Sequence, residues 1–524
     1  MGRSIEPLSG LDATFLAMET STSRLHVAGV LVLDAPGAGA ASEPGDRASP
    51  QFETIRAVVG ERLDRVPRLL RRAVRVPLGL QRPFWVDDAE FDLDAHVRPA
   101  RVAAPGGRRE LDGLIGEVLS RPLPLDRPLW EMVVAGGLAH GRTAVVARLH
   151  HAILDGVSGA TALAAFLDLE PRRGGGVRGA PAGAYPSARG SRHAGRPHPS
   201  HRAHPLAGGP HDPPASDVWR YAATSFAHQP DAALELLRRG VDALVGVTKQ
   251  NRELSSRGLG PPPAPFSAPR TSLNGSVTCD RHVATFSVPL SDFELVRAAP
   301  DVAPPTPSRD RSATVNEVIL AAVGGALRRY LLARDELPDR PLVALVPVST
   351  HGRASVPAAQ RAQMGNSVSG MLVPLGSTLD DPLERLRAVA TASRVAKLQE
   401  DLAGGEFLEC LLQVVPPFVV SGFMRAAGRT RLFDRCSPPL NVVVSSVVVP
   451  DVSLWLAGCP VSAIYPAGPV ADGVGLNITS MTYKGTVHFG VVASPRLVPD
   501  VDEVATLLDD AVAELVAAAL DTTR

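Results

Sequence analysis

The seven residues His150-His151-Ala152-Ile153-Leu154-Asp155-Gly156 carry the most specific pattern in this chain. They follow the apolar run RTAVVARL at 142–149, whose composition predicts a buried strand. Because successive side chains of a strand point to opposite faces, only one of the two histidines can face a given channel, and the other must face into the protein. Gly156 allows the backbone to bend before a small-residue helix predicted from about Val157.

The histidine pair predicts proton-transfer chemistry. Histidine has an unperturbed pKa of about 6.5, so it can take a proton from a hydroxyl group at neutral pH. Two alternatives stay open at this point. The histidines could be structural groups at a strand end, with Asp155 shaping the turn. A metal site is the other alternative, since His and Asp are good ligands, but adjacent strand histidines diverge and no third ligand lies at metal spacing.

The composition is that of an ordinary globular protein. The chain has 524 residues, enough for two or three domains, with 45% hydrophobic and 21% charged residues. Lys+Arg and Asp+Glu both number 54, so the net charge of zero gives no electrostatic argument for nucleic-acid binding. The four cysteines are scattered and form no CxxC pair, which predicts reduced thiols in a cytosolic protein.

Targeting and membrane-spanning signals are weak. The first ten residues contain no apolar segment typical of a signal peptide, so we do not expect secretion. The nearest approach to a membrane span is 407–424, which Glu409 and Pro416-Pro417 interrupt. This segment predicts a buried, broken helix or, as an alternative, a surface that dips into lipid.

Strands and helices interleave along the chain, which predicts an α/β protein with two sizeable lobes. We predict an N-terminal lobe at 1–171, which contains the histidine motif, and a C-terminal lobe at 271–524. Between them, 172–216 is so rich in Gly, Pro, Arg and His that it cannot bury enough apolar surface to become ordered, and we predict a disordered linker. A helical segment and a Pro-rich connector are expected at 217–270.

Local patterns predict individual elements. Strands are expected at 25–33, 131–135, 142–149, 281–289, 342–348, 370–375, 441–449 and 488–493. A helix is expected from Phe52 to Val74, where Pro67 interrupts it and many arginines form a solvated face or, as an alternative, meet the phosphates of a cofactor or lipid. Thr314 and Glu317 form a capping-box pattern ahead of another helix, and apolar spacing over 504–516 predicts an amphipathic C-terminal helix.

The motif HHxxxDG resembles the signature of the CoA-dependent acyltransferase superfamily, the group with the chloramphenicol acetyltransferase fold. Other landmarks resemble the bacterial wax ester synthase/diacylglycerol acyltransferase family across nearly the whole chain outside the linker. These landmarks are PLSGLDATFL at 7–16, Pro128-Leu129-Trp130, Asn316, Gly365-Asn366 before Val373-Pro374-Leu375, and the tail segments 465–478 and 497–500.

The resemblance implies two chloramphenicol-acetyltransferase-like lobes, with channels for acyl-CoA and acceptor that meet at His151. It implies transfer of a fatty acyl group from acyl-CoA, a co-substrate, to diacylglycerol or a long-chain alcohol. No permanently bound cofactor and no metal are expected. The implied location is cytoplasmic, at the inner face of the cell membrane or at lipid inclusions, with peripheral lipid contact and no nucleic-acid partner.

The family motif also assigns roles to its residues in this chain. His151 is expected to be the general base that takes the hydroxyl proton and returns it to the CoA thiolate. His150 should pack inward and support the strand end. Asp155 is expected to be a structural anchor that pairs with an arginine, and Gly156 forms the turn. Asn316 is a candidate polar group near the site.

Two positions depart from the family pattern. Asn316-Glu317 replaces the usual Asn-Asp, which the capping role of Glu317 makes tolerable. Ser446-Val-Val-Val-Pro450 replaces Asn-Val-Pro-Gly-Pro, which changes the backbone angles of the expected loop and removes an amide, so the acceptor preference could differ.

Two other functions are alternatives to acyl-CoA-dependent transfer. One is a condensation-type acyltransferase that takes its acyl group from a carrier protein. The lack of a carrier or adenylation module argues against this function. The other is a non-catalytic lipid-inclusion protein of the same fold, against which stand the intact His151, Asp155 and Gly156.

Overall fold

The structure, a computed structural model, describes residues 6–35, 50–79, 81–154, 156–171, 263–264, 266–299, 312–349, 368–403, 417–449 and 451–522. The expected linker at 172–216 and most of the expected helical segment at 217–270 lie outside these residues. Within the described ranges, no helix is both long enough and apolar enough to cross a bilayer.

The described residues form fifteen strands and nine α-helices. The strands are β1 Glu6–Pro7, β2 His26–Leu33, β3 Arg71–Val74, β4 Phe84–Asp87, β5 Val97–Arg101, β6 Trp130–Gly136, β7 Thr143–His150, β8 His282–Pro289, β9 Val343–Ser349, β10 Val368–Pro374, β11 Val442–Val448, β12 Trp455–Leu456, β13 Cys459–Ala467, β14 Leu476–Tyr483 and β15 Thr486–Ala493. The helices are α1 Gly10–Met18, α2 Pro50–Arg62, α3 Arg108–Ser120, α4 Gly156–Ala165, α5 Leu290–Ala298, α6 Val315–Leu332, α7 Pro382–Ala403, α8 Pro417–Thr430 and α9 Val501–Asp521.

Two six-stranded sheets organise the two lobes. The first has the order β12-β13-β2-β7-β6-β5, and the second has the order β10-β9-β11-β14-β15-β8. In the first sheet, β13 comes from the C-terminal half of the chain and pairs antiparallel with β2. Both halves of the chain therefore build the sheet that carries the histidine motif. A small sheet, β1-β4-β3, stands beside it.

Each sheet buries its apolar face under helices. The core of the second lobe joins its sheet to α6 and α9, and thirteen of the eighteen residues of α6 are buried. In the first lobe, α3 places Leu111, Ile115 and Val118 against the sheet residues Val30 and Val146. Burial of such side chains contributes roughly 1.5–3 kcal/mol each, so these three helices are major sources of stability.

The two sheets approach each other where β15 passes β13. A Cβ atom built at Gly490 on β15 would lie 1.7 Å from the Pro466 carbonyl oxygen, so only glycine allows the strands to come this close. Gly116 on α3 plays the same part against the Arg281 carbonyl, at 2.5 Å. These close contacts join the lobes beside the histidine motif.

The predicted strands and the two best-marked helices are confirmed. All eight predicted strands are present within two residues of the expected limits. Thr314 accepts from the backbone N–H of Glu317 while the Glu317 carboxylate accepts from the backbone N–H of Thr314, which is the predicted capping box. The C-terminal helix is α9. The pattern analysis did not predict α3, α7, β13 or β14.

The expected helix from Phe52 to Val74 is wrong in its second half. Helix α2 ends at Arg62, two 3-10 turns follow, and Arg71 begins strand β3. The prediction of a solvated arginine face is also wrong for Arg62, the first arginine of that face. Arg62 is 1% exposed and donates to the Phe166 carbonyl at 2.5 Å and to the Asp168 carboxylate at 2.5 Å. This buried ion pair holds the end of α2 where the sequence pattern alone would continue the helix.

A buried carboxylate on α3 links the lobes and makes their stability depend on pH. Asp112 is 3% exposed and accepts from the Thr285 hydroxyl at 2.7 Å and the Thr285 N–H at 3.1 Å. Burial raises the pKa of Asp112 from 3.8 to about 6, although the hydrogen bonds from Thr285 oppose the rise. The folded state thus favours the protonated acid. The protonated acid stabilises the folded state at low pH, and this stabilisation is lost as the pH rises through about 6.

We expect Asp112→Asn to remove this loss. As the pH rises from about 4 to about 7, the free energy of unfolding of the variant should increase by about 3 kcal/mol relative to that of the native protein. A difference of two pKa units corresponds to roughly that energy. Urea unfolding of both proteins at several pH values measures the difference. A constant difference across this range would contradict the assignment, whatever other groups titrate, because those groups are common to both proteins.

Candidate functional site

The two motif histidines lie at the end of β7 and enter different surroundings. His150 is the last residue of the strand and is 0% exposed, whereas His151 is half-buried. The backbone of the pair is held on both sides. The N–H of His150 donates to the Leu129 carbonyl at 2.9 Å, and the N–H of His151 donates to the Leu25 carbonyl at 2.8 Å. The backbone of the pair is therefore held in place, while one imidazole is enclosed in the protein and the other is partly exposed.

Strand register gathers a polar cluster around His150. His26 on β2 lies directly opposite His150, and Glu131 on β6 lies opposite Arg148 on β7. Because side chains alternate along a strand, Arg148 and His150 share one face. All four of these residues are 5% exposed or less. The face that packs on α3 is apolar along most of its length, so this cluster is confined to its end.

The Glu19 carboxylate lies between the two imidazoles of the cluster. It is 3.5 Å from Nε2 of His150 and 3.7 Å from Nε2 of His26. The Ala152 N–H donates to His150 Nδ1 at 3.0 Å, which places the His150 proton on Nε2. An arginine N–H of Arg148 faces His26 Nδ1 at 3.5 Å and favours the same tautomer there. The Glu19 carboxylate is thus within 4 Å of both Nε2 atoms, although neither makes a hydrogen bond to it.

The charges of the cluster are balanced by the Arg148–Glu131 pair. Arg148 donates to one oxygen of Glu131, and Arg98 donates to the other. A further Arg148 N–H donates to the Arg121 carbonyl at 2.5 Å. Burial, followed by repulsion from neighbouring arginines, lowers the pKa of Arg148 to about 9, so it remains cationic at neutral pH. Burial and the charge of Arg148 lower the pKa of His26 well below 6.5 and keep that imidazole neutral.

The C-terminal lobe holds the turn that presents Glu19. Thr20 closes this turn through its hydroxyl, which accepts from the Ser23 N–H at 2.9 Å. Arg281 at the start of β8 donates to the Thr22 carbonyl at 2.6 Å, and the Asp472 N–H donates to the Ser23 hydroxyl at 2.9 Å. The position of Glu19 beside His150 therefore depends on contacts between the lobes.

His151 packs against an aromatic side chain of α1. Its ring centroid is 4.3 Å from that of Phe15, with an angle of 35° between the planes. Helix α1 begins at Gly10, where the Ser9 hydroxyl accepts from the Asp12 N–H at 3.0 Å. Its inner face, which includes Leu16, joins the core of the first lobe. A capped and buried helix thus fixes the ring that limits the movement of His151.

The Pro128-Leu129-Trp130 landmark supports the same strand end. Leu129 is 0% exposed, and its carbonyl accepts from His150. The Trp130 indole N–H donates to the Leu69 carbonyl at 2.7 Å, and its ring stacks on His96 with centroids 4.5 Å apart. These contacts give the landmark a structural part in holding β6 and β7.

The remaining motif residues are less completely described. Asp155 lies outside the described residues, as does its expected arginine contact. Gly156 is the first residue of α4, one position before the expected helix start. No group of three or more His, Cys, Asp or Glu residues in the described part of the chain is arranged to hold a metal ion.

Asn316 belongs to a second polar group, on the C-terminal lobe. It is the second residue of α6, and its side-chain oxygen accepts from the Ser446 hydroxyl at 2.8 Å. Ser446 also contacts the Ser480 hydroxyl at 2.9 Å. The expected loop at 446–450 is wrong in its first part, since β11 continues to Val448. The β-branched residues of this segment favour a strand. Pro450 lies outside the described residues.

The two polar groups are joined through the contact between α4 and β11. Helix α4 follows the histidine motif directly and packs against β11, the strand that carries Ser446. Val447 and Val449 pack against the core of the first lobe. The motif helix and the Asn316–Ser446 pair therefore belong to the same junction between the lobes.

Sequence reasoning missed most of the His150 cluster. It did not single out Glu19, His26, Glu131 or Arg148. One signal was present, since Arg148 and His150 are separated by the two-residue repeat of a strand and must share a face. The partners from β2 and β6 could not be identified in this way, because no local pattern states which strands become neighbours.

Comparison with known proteins identifies the family of this chain. The model of the wax ester synthase/diacylglycerol acyltransferase catalytic domain matches residues 8–303, and the model of the C-terminal domain of the same family matches 364–516. A protein of Mycobacterium tuberculosis strain H37Rv, provisionally named diacylglycerol O-acyltransferase, is 33% identical over 516 residues, which cover 98% of this chain and 90% of the relative. A second protein of that strain, named likewise, is 32% identical over 500 residues and covers 95% and 93%.

Solved structures share the fold. The wax ester synthase/diacylglycerol acyltransferase from Marinobacter aquaeolei VT8 superimposes with a TM-score of 0.62 at 23% identity, covering 98% of this chain and 99% of that chain. The first condensation domain of the CDA synthetase gives a TM-score of 0.53 at 17% identity, covering 100% and 98%. The expected α/β fold of two chloramphenicol-acetyltransferase-like lobes is confirmed. The chain belongs to the wax ester synthase/diacylglycerol acyltransferase family, whose members are acyltransferases that use acyl-CoA as co-substrate.

Proposed function

We propose that this enzyme transfers a fatty acyl group from acyl-CoA to diacylglycerol, and accepts long-chain alcohols as a second class of acceptor. The proposal rests on one observation above all, the half-buried imidazole of His151 held at the strand end against Phe15. Two relatives that match over nine-tenths of their length are named diacylglycerol O-acyltransferases, which supports diacylglycerol as the first acceptor.

In the proposed reaction, His151 removes the proton from the acceptor hydroxyl as its oxygen attacks the thioester carbonyl. The new carbon–oxygen bond forms, the carbon–sulfur bond breaks, and the proton passes from His151 to the departing thiolate, which leaves as free CoA. Since a thiolate is a good leaving group, no covalent enzyme intermediate is needed. We propose that His150 and Asp155 support the strand end and turn, and that Asn316 is a polar contact beside the reacting groups.

Fixed surroundings support this division of roles. His150 is enclosed with Glu19 and Arg148, so it cannot meet a substrate without disrupting the sheet. His151 has its backbone tied to Leu25 and one ring face on Phe15, which restricts the directions that its imidazole can take. Such restriction lowers the entropy lost when the acceptor hydroxyl is aligned.

We also propose that the enzyme works on the cytoplasmic side, at the surface of the membrane or of lipid inclusions. The fatty acyl chain and both proposed acceptors are lipidic, so they partition into lipid rather than into water. Peripheral contact would give the enzyme access to them without a spanning helix.

Purified protein with palmitoyl-CoA as sole donor tests the proposed reaction. Diacylglycerol and hexadecanol are supplied in parallel, and free CoA and the lipid product are measured together. We expect both products, with triacylglycerol formed faster. Activity that appears only when the acyl group is loaded on a carrier protein would support the condensation-type alternative. No transfer to either acceptor from any donor would support the non-catalytic alternative.

A further inference from the structure

One helix of the C-terminal half exposes an apolar face that the rest of the described structure leaves open. On α8, the side chains of Phe418, Val419 and Phe423 are 44%, 47% and 55% exposed. No other helix or strand among the described residues has more than one exposed large apolar side chain. With 3.6 residues per turn, these three residues and the small Gly422 and Ala426 fall within an arc of about 140°.

The charges of α8 border this apolar arc and have a single sign. Arg425 and Arg429 are exposed, and the helix contains no acidic residue. On the helix, Arg425 lies about 20° outside the Phe418 edge of the arc and Arg429 about 20° inside it, so the two arginines flank Phe418. An apolar face with arginines at its border is the pattern of helices that lie in the plane of a membrane interface.

The inner side of α8 is fixed to the protein. Met424 and Ala427 are buried, and the helix packs against α1. At its start, Phe418 meets the 3-10 turn Pro77–Gly79, where a Cβ atom on Gly79 would lie 3.2 Å from the Phe418 Cβ. The exposed face is therefore held in one orientation.

This fixed orientation connects α8 to the proposed active site. Helix α1 contacts α8 and also carries Phe15, whose ring lies 4.3 Å from that of His151. Only one helix thus separates the exposed apolar face from the imidazole that we propose as the base. An acceptor lipid that leaves a bilayer at α8 would enter the protein close to its reaction site.

We propose that the α8 face, made by Phe418, Val419 and Phe423 with Arg425 and Arg429, docks the protein on an anionic phospholipid surface. The link to acyl transfer rests on the proposed function, whereas the docking itself does not. Arginines attract an anionic surface, with about 1 kcal/mol for each basic residue near it.

A second copy of the chain fits this face less well. In a two-fold dimer, Arg425 and Arg429 would approach their own counterparts and repel them. The three apolar side chains expose on the order of 250 Å², by comparison with the 150–250 Å² of a whole aromatic side chain. A stable protein interface buries about 800 Å² on each partner.

Vesicle co-sedimentation of the full-length protein tests the docking. Vesicles of phosphatidylcholine alone and of phosphatidylcholine with phosphatidylglycerol serve as probes. Phe418→Ser/Phe423→Ser should lower the partition coefficient roughly 100-fold on both, about tenfold for each phenylalanine. Arg425→Gln/Arg429→Gln should lower it roughly thirtyfold on the anionic vesicles at low salt and leave it unchanged on the neutral ones.

Matched variants and a second readout keep the result interpretable. Leu332→Ser/Leu398→Ser removes two other exposed apolar side chains, which are 50% and 41% exposed on α6 and α7, and should bind vesicles like the native protein. All variants should keep the native melting temperature. Native binding by the phenylalanine variant would overturn the proposal, as would its conversion from dimer to monomer in light scattering.

Activity measurements separate this proposal from the proposed function. With palmitoyl-CoA and dissolved hexanol, the phenylalanine variant should keep the native rate, while its rate on diacylglycerol in vesicles falls with its binding. If the native protein transfers no acyl group at all but the vesicle results hold, docking stands and the proposed function fails. If transfer occurs and vesicle binding is insensitive to α8, the function stands and docking fails.

Discussion

Replacing His151 with alanine should lower the rate of acyl transfer by roughly 10²–10⁴-fold, the usual contribution of a positioned general base. The melting temperature should stay within a few degrees of the native value. His151 is half-buried, its backbone hydrogen bond to Leu25 survives the change, and the ring contact with Phe15 is lost. Free-CoA release under saturating palmitoyl-CoA and a thermal melt give the two readouts.

His150→Ala should fail in the opposite way. The substitution opens a hole at a fully buried position, removes the acceptor of the Ala152 N–H and leaves Glu19 without one of its two imidazoles. Melting temperature or soluble yield should therefore fall, and any loss of rate should follow from that. His282→Ala, an exposed strand histidine on β8, is the matched control and should change neither quantity. A stable, fully active His151→Ala protein would exclude the proposed mechanism.

Glu131→Leu should destabilise the fold by about 3–5 kcal/mol, because it leaves the buried Arg148 charge without its carboxylate. Urea unfolding measures this effect. Arg148 keeps its bond to the Arg121 carbonyl, but a carbonyl dipole does not neutralise a full charge. The positive field would also act on His26, which Arg148 faces at 3.5 Å.

Two further variants show whether the effect comes from the unpaired charge. Glu131→Leu/Arg148→Met replaces the ion pair with apolar side chains of similar size and should recover most of the lost stability. Arg98 is the outer partner of Glu131, and the Arg98 side chain is 41% exposed. Arg98→Leu should therefore lower the free energy of unfolding by less than about 1 kcal/mol. If the double variant is as unstable as Glu131→Leu, the cause is packing rather than charge.

Several elements could be predicted because their causes are local. The alternation of 142–149 and its β-branched residues predict β7, and the Thr314 and Glu317 pair predicts the start of α6, since both signals involve residues a few positions apart. Where a distant group intervenes, the local pattern fails. Helix α2 stops at Arg62 because that side chain is buried against Phe166 and Asp168, more than one hundred positions away.

The same distinction between local and distant causes applies to the candidate site. The sequence by itself determined the family, the motif, and the divergence of His150 and His151 that follows from strand geometry. Only the tertiary structure decided that Glu19 lies between His150 and His26, and that contacts from the C-terminal lobe hold the turn around it. The physical reason is that strand register and lobe packing are set by the total free energy of many distant contacts, none of which leaves a periodic trace near the residues that it brings together.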